Sequence, residues 1–234
     1  MSSTAMQNSA KYAFVAVVAI IFFGAFGSYW FFLRGDTPSR AALRTAPVTT
    51  VAGDSPLSPV GDWNIVSSDQ VFVGYRVAEL FGGETIKTTA VGRTNSVSGT
   101  MTITETAVTA VTLSADLTKM TSDRPQRDRV LVDSGLQTRT FPQATFQLTT
   151  PIPLGNAPAL GDEVNVVALG DLTLHGVTHQ VSIPMLARWN GATITVAGST
   201  RIEFGDYDIE APNNAFVSVE HSGEFEVQLT FVPA

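Results

Sequence analysis

Apolar and polar side chains alternate along several stretches of this chain, and this period of two limits the fold more than any other feature. In "EFEVQLTF", near the end of the sequence, the apolar residues share one face: Phe225, Val227, Leu229 and Phe231. Successive side chains of a β-strand point to opposite faces, so such alternation predicts a strand with one buried face. One-sided burial rules against a parallel sheet, whose strands are buried on both faces.

Four earlier stretches alternate in the same way. Their apolar faces consist of Val71, Val73, Tyr75 and Val77; Val111 and Leu113; Ala144, Phe146 and Leu148; and Ala168 and Leu172. Turn-forming residues separate the stretches, and strands recur roughly every ten residues, which predicts an antiparallel sandwich or barrel. A short helix is expected within 121–136, with Ser122 or Asp123 as its cap, Pro125 in its first turn and Gly135 at its exit.

The N-terminal part differs in composition from the rest. After a short tail at residues 1–11, the run "YAFVAVVAIIFFGAFGSYWFFL" at 12–33 carries no charge and is long enough to cross a bilayer as one helix. We predict an uncleaved signal anchor there. A cleaved signal peptide with a small-x-small site at 25–27 is the alternative, but "SYWFFL" continues the apolar run beyond that site.

The basic residues around this run do not support an orientation that places the large domain outside the cytoplasm. Lys11 precedes the run, whereas Arg34, Arg40 and Arg44 follow it, so a positive-inside count points the wrong way for export. A single span after a short N-terminal tail nevertheless usually acts as a signal anchor. The predicted location is therefore the cell membrane, single-pass, with the large domain on the extracytoplasmic side.

Residues 34–60 are rich in Ala, Thr, Ser and Pro without any periodicity, which predicts a flexible linker. Residues 61–234 then form one domain large enough for a hydrophobic core. The chain has a formal net charge of −7 with scattered basic residues, so nucleic acid is excluded as a partner. The absence of cysteine fits either side of a membrane.

Two of the three histidines, His175 and His179, lie four residues apart in "GDLTLHGVTHQVSIP". On a helix this spacing brings two imidazoles to one metal, but here it falls between two alternating strands. A two-residue loop Gly176-Val177 would pair His175 with Thr178 on the outer face and direct His179 inward with Val181 and Ile183. Because the two rings then point to opposite sides of the sheet, no metal site is predicted.

The charged residues Asp123, Arg124, Arg127, Asp128 and Arg129 invite comparison with a phosphate site. Local and helix-to-barrel salt bridges are the preferred interpretation, and contact with a pyrophosphate headgroup is the alternative. There is no Gly-x-Ser-x-Gly motif, cysteine nucleophile or Gly-rich phosphate loop, so the chain is not predicted to be an enzyme.

Several segments, taken in order, resemble the YceI-like family of polyisoprenoid-binding, lipocalin-like proteins. They are "WNI" at 63–65, "VSGTMTI" at 97–103, "SDRPQRDRVL" at 122–131, "FPQATFQLT" at 141–149, "GDLTLHGVTHQVSIP" at 170–184, "FGDYDI" at 204–209 and "EFEVQLTFV" at 224–232. The resemblance implies an all-β, eight-stranded antiparallel barrel with one or two short helices. Its lumen would hold an isoprenoid tail. The family commonly has histidines in its early strand, whereas "SSDQVFVGYRVAEL" has none, so the resemblance does not assign the headgroup end of the ligand.

We therefore predict a membrane-tethered carrier for an isoprenoid lipid of the quinone or polyprenyl type, with no cofactor required and a homodimer left open. An eight-stranded barrel either fills its interior with side chains or holds one slender ligand. The alternative is accordingly a surface interaction or structural domain with a filled core. The predicted lumen residues are Val71, Val73, Tyr75, Val77, Val111, Leu113, Ala144, Phe146, Leu148, Ala168, Leu172, His179, Ile183, Phe225, Val227 and Leu229.

Overall fold

The structure is a computed structural model that describes residues 37–43, 58–155 and 158–234. The predicted tail and anchor at 1–33 lie outside these residues. Within the described ranges, no helix is both long and apolar enough to cross a membrane. The strands are β1 (Gly61–Ile65), β2 (Phe72–Phe81), β3 (Thr88–Thr94), β4 (Val97–Ile103), β5 (Ala107–Asp116), β6 (Thr121–Ser122), β7 (Gln143–Leu148), β8 (Ile152–Pro153), β9 (Glu163–Leu174), β10 (Val177–Trp189), β11 (Ile194–Glu203), β12 (Val217–Val219) and β13 (Ser222–Pro233).

Eight of these strands close into an antiparallel barrel, as predicted. The ring runs β1-β4-β5-β7-β9-β10-β11-β13, and β13 pairs with β1 to complete it. Strand β13 contacts two successive strands along its length, because its first half pairs with β2 and its end pairs with β1. Strand β3 continues the wall beyond β2, and the short β6 pairs with β3.

One short helix, α1 (Pro125–Asp133), follows β6 directly. Pro125 occupies its first turn as predicted, but the cap residue is Arg124, not Ser122 or Asp123. Ser122 lies on β6 and contacts the helix from there: its backbone N–H donates to the Asp128 carboxylate at 2.9 Å. The helix ends where the N–H groups of Ser134 and Gly135 both donate to the Val130 carbonyl. Two 3₁₀ turns, at Leu117–Lys119 and Phe204–Tyr207, complete the helical content of the described residues.

The predicted loop of the β9–β10 hairpin was wrong by one residue. The loop is His175-Gly176: Leu174 pairs with Val177 and Thr173 with Thr178. His175 and Gly176 have φ angles of 53° and 79°. Two positive φ angles are typical of a type I′ turn, whose twist matches that of the flanking strands and which takes glycine at its second position.

Residues 37–43 lie against the outer face of β2, β3 and β13, although they fall within the predicted linker. The Arg40 guanidinium pairs with Glu224, and the Ala42 N–H donates to Gln228 Oε1 at 3.1 Å. The carbonyls of Pro38 and Ser39 accept hydrogen bonds from Arg76 and Arg93. Of the remainder of 34–60, only residues 58–60 are described. For the rest of this range the flexible linker stays a prediction.

Candidate ligand-binding lumen

The inward faces of the barrel strands enclose two apolar spaces. The first, here called the apolar chamber, is a cavity of about 100 Å³ between side chains of β4, β5, β7, β9, β10, β11 and β13. Its wall is almost entirely aliphatic and aromatic. The exception among its described lining residues is Arg188. Trp189 also lines the chamber, and its indole N–H is buried without a hydrogen-bond partner among the described residues.

The second space, here called the helix-side chamber, is a cavity of about 120 Å³ between β2, β3, helix α1 and the segment from Phe204 to Val219. Its lining is also mainly apolar, with Val130, Leu131 and Leu136 contributed by α1 and the turn after it. Four ionisable residues line it, namely Tyr75, Glu79, Arg127 and Glu210, whereas Arg188 is the one ionisable residue in the described lining of the apolar chamber. A ligand with an apolar tail and a polar head therefore meets two distinct environments in this lumen.

Comparison with known proteins supplies the family. Residues 63–231 match the sequence profile of the YceI-like domain. The chain belongs to the YceI-like family.

A UPF0312 protein of Vibrio parahaemolyticus is 29% identical over 143 residues, which cover 55% of this chain and 70% of that protein. Among solved structures, a polyisoprenoid binding domain from Saccharophagus degradans, implicated in plant cell wall breakdown, superposes with a TM-score of 0.56. It has 16% identity and covers 74% of this chain and 98% of that one. BcnA of Burkholderia cenocepacia superposes with a TM-score of 0.47 at 22% identity, over 67% of this chain and 95% of that one. The likeness to the Saccharophagus degradans domain concerns the fold.

Most of the predicted lumen residues line one of the two chambers of the YceI-like barrel. The apolar chamber includes Val111, Leu113, Phe146, Ala168, Ile183, Val227 and Leu229. The helix-side chamber includes Val73, Tyr75, Val77 and Ala144. Phe225 lines both.

Four predicted lumen residues are absent from both chamber walls. Val71, Leu148 and Leu172 are buried in the packed core. His179 has the inward phase, because it pairs with Leu172, but it lies near the end of the barrel and is exposed, with its ring 5.2 Å from that of Tyr207. Alternation assigns a side of the sheet and not a depth along it, which explains this difference.

Other lining residues were missing from the predicted set. Strands β4, β10 and β11 contribute Met101, Ile103, Met185, Ala187, Ile194 and Val196. Their alternation is visible in the sequence and could have identified them. Leu117, Leu131 and Leu136 of the helix-side chamber come from helical or turn segments, for which a period of two gives no signal.

His175 is buried within its turn and does not occupy the outer-face position that was predicted. Its Nδ1 lies 3.0 Å from the Tyr207 carbonyl oxygen, and its ring packs on Phe141 with 4.3 Å between centroids. His179 is separately placed on the exposed surface. Within the described ranges, His, Asp and Glu side chains form no group of three able to hold a metal ion. The His-x-x-x-His spacing is thus part of a structural hairpin in this YceI-like barrel.

The charged residues of helix α1 form salt bridges to the barrel, as expected from the sequence. The Arg127 guanidinium pairs with Asp123, which precedes the helix, and with Glu79 on β2, whose side chain is buried. Arg124 lies over the ring of Phe81, 4.5 Å from its centroid. Arg127 is therefore engaged on both sides before any ligand enters the helix-side chamber.

Tyr75 contributes a polar group beside these charges. Its ring lies against β3 so closely that a Cβ at Gly92 would come within 2.8 Å of the hydroxyl oxygen. That hydroxyl is buried and has no hydrogen-bond partner among the described residues. Burial raises the pKa of Tyr75 well above its usual value, more than the nearby Arg127 lowers it. The phenol therefore stays protonated at neutral pH and is available as a donor.

Proposed function

We propose that this YceI-like domain binds an isoprenoid lipid inside its barrel and acts as a membrane-tethered carrier or sequestering protein. The observation that carries the proposal is the lumen itself, where an almost wholly apolar chamber adjoins one with a few polar groups. An isoprenoid tail makes no hydrogen bonds, and each buried methylene contributes about 0.8 kcal/mol. The fold is shared with a protein described as a polyisoprenoid binding domain.

The proposed tether is the uncharged run at 12–33, which has the length of a membrane-spanning helix. An anchor of this kind would keep the domain close to the bilayer in which its lipid dissolves. It raises the effective concentration of the ligand without requiring any additional contact. The extracytoplasmic location belongs to the same proposal.

The polar groups of the helix-side chamber favour a neutral headgroup that accepts hydrogen bonds. Two carboxylates, those of Glu79 and Glu210, line the chamber with one guanidinium, that of Arg127, which is already paired. A diphosphate would meet net negative charge there and would lose its hydration without gaining a cation. The Tyr75 hydroxyl can donate to a carbonyl oxygen, so the proposed ligand is a prenylated quinone or a similar carbonyl lipid.

The direct experiment is native mass spectrometry of the purified protein together with an organic extract of it. We expect a co-purifying apolar molecule in the mass range of a prenyl lipid. The emptied protein should take up an added prenylquinone. A protein that carries no lipid and takes up neither a prenylquinone nor a polyprenol would contradict the proposed function.

Replacing Tyr75 with Phe tests the proposed headgroup contact. Loss of one hydrogen bond of about 1 kcal/mol should weaken prenylquinone binding roughly fivefold. A prenyl hydrocarbon without a headgroup should bind as before. Calorimetry or fluorescence titration with both ligands would measure this difference.

Tyr207→Phe is the matched control, because the Tyr207 hydroxyl is also buried without a partner among the described residues but lines neither chamber. It should leave the affinity for both ligands unchanged. If Tyr75→Phe does not alter quinone binding, Tyr75 is not the headgroup donor. Equal weakening of both ligands would also argue against that role.

Replacing Ala168 with Phe tests whether the apolar chamber receives the ligand or belongs to a core that must stay filled. Ala168 is 1% exposed and lines this chamber. We expect lipid binding to weaken by on the order of tenfold or more, since the ring occupies the space for the tail. Because the chamber can accept the ring, the loss of stability should be smaller than the roughly 1–3 kcal/mol of an overpacked core.

Ala110→Phe serves as the control, because Ala110 also lies on a strand of the barrel, β5, but is exposed. It should change neither binding nor the thermal midpoint by a measurable amount. Destabilisation by Ala168→Phe with unchanged lipid uptake would favour the structural domain over the carrier.

A further inference from the structure

The two chambers follow one another along the same strands. On β7, Ala144 lines the helix-side chamber, and the next inward residue, Phe146, lines the apolar chamber. On β13, the apolar chamber takes Val227 and the inward residues beyond it, whereas Phe225 borders both chambers. Successive inward positions on a strand are only about 6.6 Å apart. The chambers are therefore consecutive parts of one lumen, separated by about one layer of side chains.

Side chains of three strands fill this separating layer. Leu172 of β9 is 1% exposed and lines neither chamber. The Phe146 ring lies over the backbone of β9, where a Cβ at Gly170 would be 2.4 Å from Phe146 Cζ. Phe225 enters from β13, and among the described residues it alone lines both chambers. Its side chain is thus the direct wall between them.

Phe225 is also the neighbour of the proposed headgroup donor. It pairs with Tyr75 of β2 on one side and with Thr200 of β11 on the other. A headgroup bound at Tyr75 lies on the helix-side of the wall. A short tail fits within the helix-side chamber, whereas a long tail reaches the apolar chamber only by displacing the ring of Phe225.

We propose that Phe225 is a specificity-determining residue that sets how the affinity depends on the length of the isoprenoid tail. This inference rests on the proposed function. Each isoprene unit should add affinity until the tail reaches Phe225. The unit that must displace the ring should add little, and the units beyond it should add affinity again as they enter the apolar chamber. The residue acts as a partition whose size limits the benefit of a longer tail.

The experiment measures the affinities of prenylquinones of increasing tail length for the full chain and for Phe225→Ala. In the wild type the rise of affinity with length should pause where the tail meets Phe225, whereas in Phe225→Ala it should be continuous. The ratio of long-tail to short-tail affinity should increase by roughly tenfold. Phe225→Leu should give an intermediate ratio. Because leucine retains part of the apolar contacts of Phe225, this variant serves as the test if Phe225→Ala folds poorly.

Phe231→Ala is the matched control. Phe231 is an inward phenylalanine of the same strand and is buried like Phe225, but it lines only the apolar chamber. It removes the same atoms without opening the wall, so the dependence of affinity on tail length should keep the wild-type shape.

The outcomes separate this inference from the proposed function. If the wild type binds prenylquinones and neither Phe225 variant changes the ratio, the inference is wrong and the carrier function stands. If Phe231→Ala changes the ratio as much as Phe225→Ala, a general loosening of the lumen is responsible and the inference is also wrong. If the wild type binds no member of the series, the proposed function itself fails.

Discussion

Replacement of Glu226 with Gln should lower the free energy of unfolding by about 3–5 kcal/mol. The Glu226 side chain is 1% exposed and pairs with two guanidiniums, that of Arg76 and, at 3.2 Å, that of Arg93. Removing its charge deprives the buried Arg76 guanidinium of its ion-pair partner. Chemical denaturation monitored by tryptophan fluorescence would measure the loss.

This site is buried although Glu226 points to the outer face of β13. Residues 37–43 lie over it and supply the carbonyls of Pro38 and Ser39 to the two arginines. Arg93 also packs on the Phe72 ring, 3.8 Å from its centroid. Glu226→Gln should therefore weaken the contacts that hold residues 37–43 against the barrel. Limited proteolysis would detect this as faster cleavage before residue 44.

Glu163→Gln provides the matched control. Glu163 pairs with Arg188 on the outer surface, with 48% of the carboxylate side chain exposed. An exposed pair contributes about 0–1 kcal/mol, so this variant should remain close to the wild type. Similar small losses for both variants would show that the Glu226 cluster is hydrated and does not hold residues 37–43.

Leu172→Ala should lower the free energy of unfolding by about 2–5 kcal/mol. Leu172 is 1% exposed and pairs across the sheet with Phe146 and His179. Truncation removes apolar contacts at the narrow level between the two chambers, where the rigid strands cannot collapse around the new space. Thermal and chemical denaturation in the absence of lipid would measure the effect.

The same truncation at Leu186 is the control, since Leu186 lies on β10 with 36% of its surface exposed. Leu186→Ala should lower the free energy of unfolding by much less than Leu172→Ala does. Addition of a prenylquinone should recover part of the stability lost in Leu172→Ala if the ligand fills the space. A loss below about 1 kcal/mol at Leu172 would show that this level of the barrel is already loosely packed.

Periodicity predicted an antiparallel sandwich or barrel because burial on one face is a local property of each strand, and the family resemblance implied the eight-stranded barrel. The inward residues of "EFEVQLTF" are buried in the structure, and those of "ATFQL" are as well. Periodicity could not predict the depth of a residue along the barrel, and so His179 has the correct phase but lies on the surface. It also could not choose between a loop at Gly176-Val177 and one at His175-Gly176, since both contain a glycine suited to a tight turn.

The features that distinguish this lumen arise from contacts between distant parts of the chain. Tyr75 and Arg127 are separated by a long stretch of sequence, yet they line one chamber. Residues 37–43 have the composition of a linker, but the carbonyls of Pro38 and Ser39 accept hydrogen bonds from Arg76 of β2 and Arg93 of β3. Such pairings leave no periodic signal.

The sequence by itself determined the all-β class and the side of each strand that faces inward, because strand geometry repeats every two residues. It also determined the family, because several segments match that family in order. Only the tertiary structure decided that the inward side chains leave two chambers, that Phe225 stands between them, and that Tyr75 has a hydroxyl to donate. These properties depend on how side chains from non-adjacent strands share a fixed volume, and no single strand carries that information.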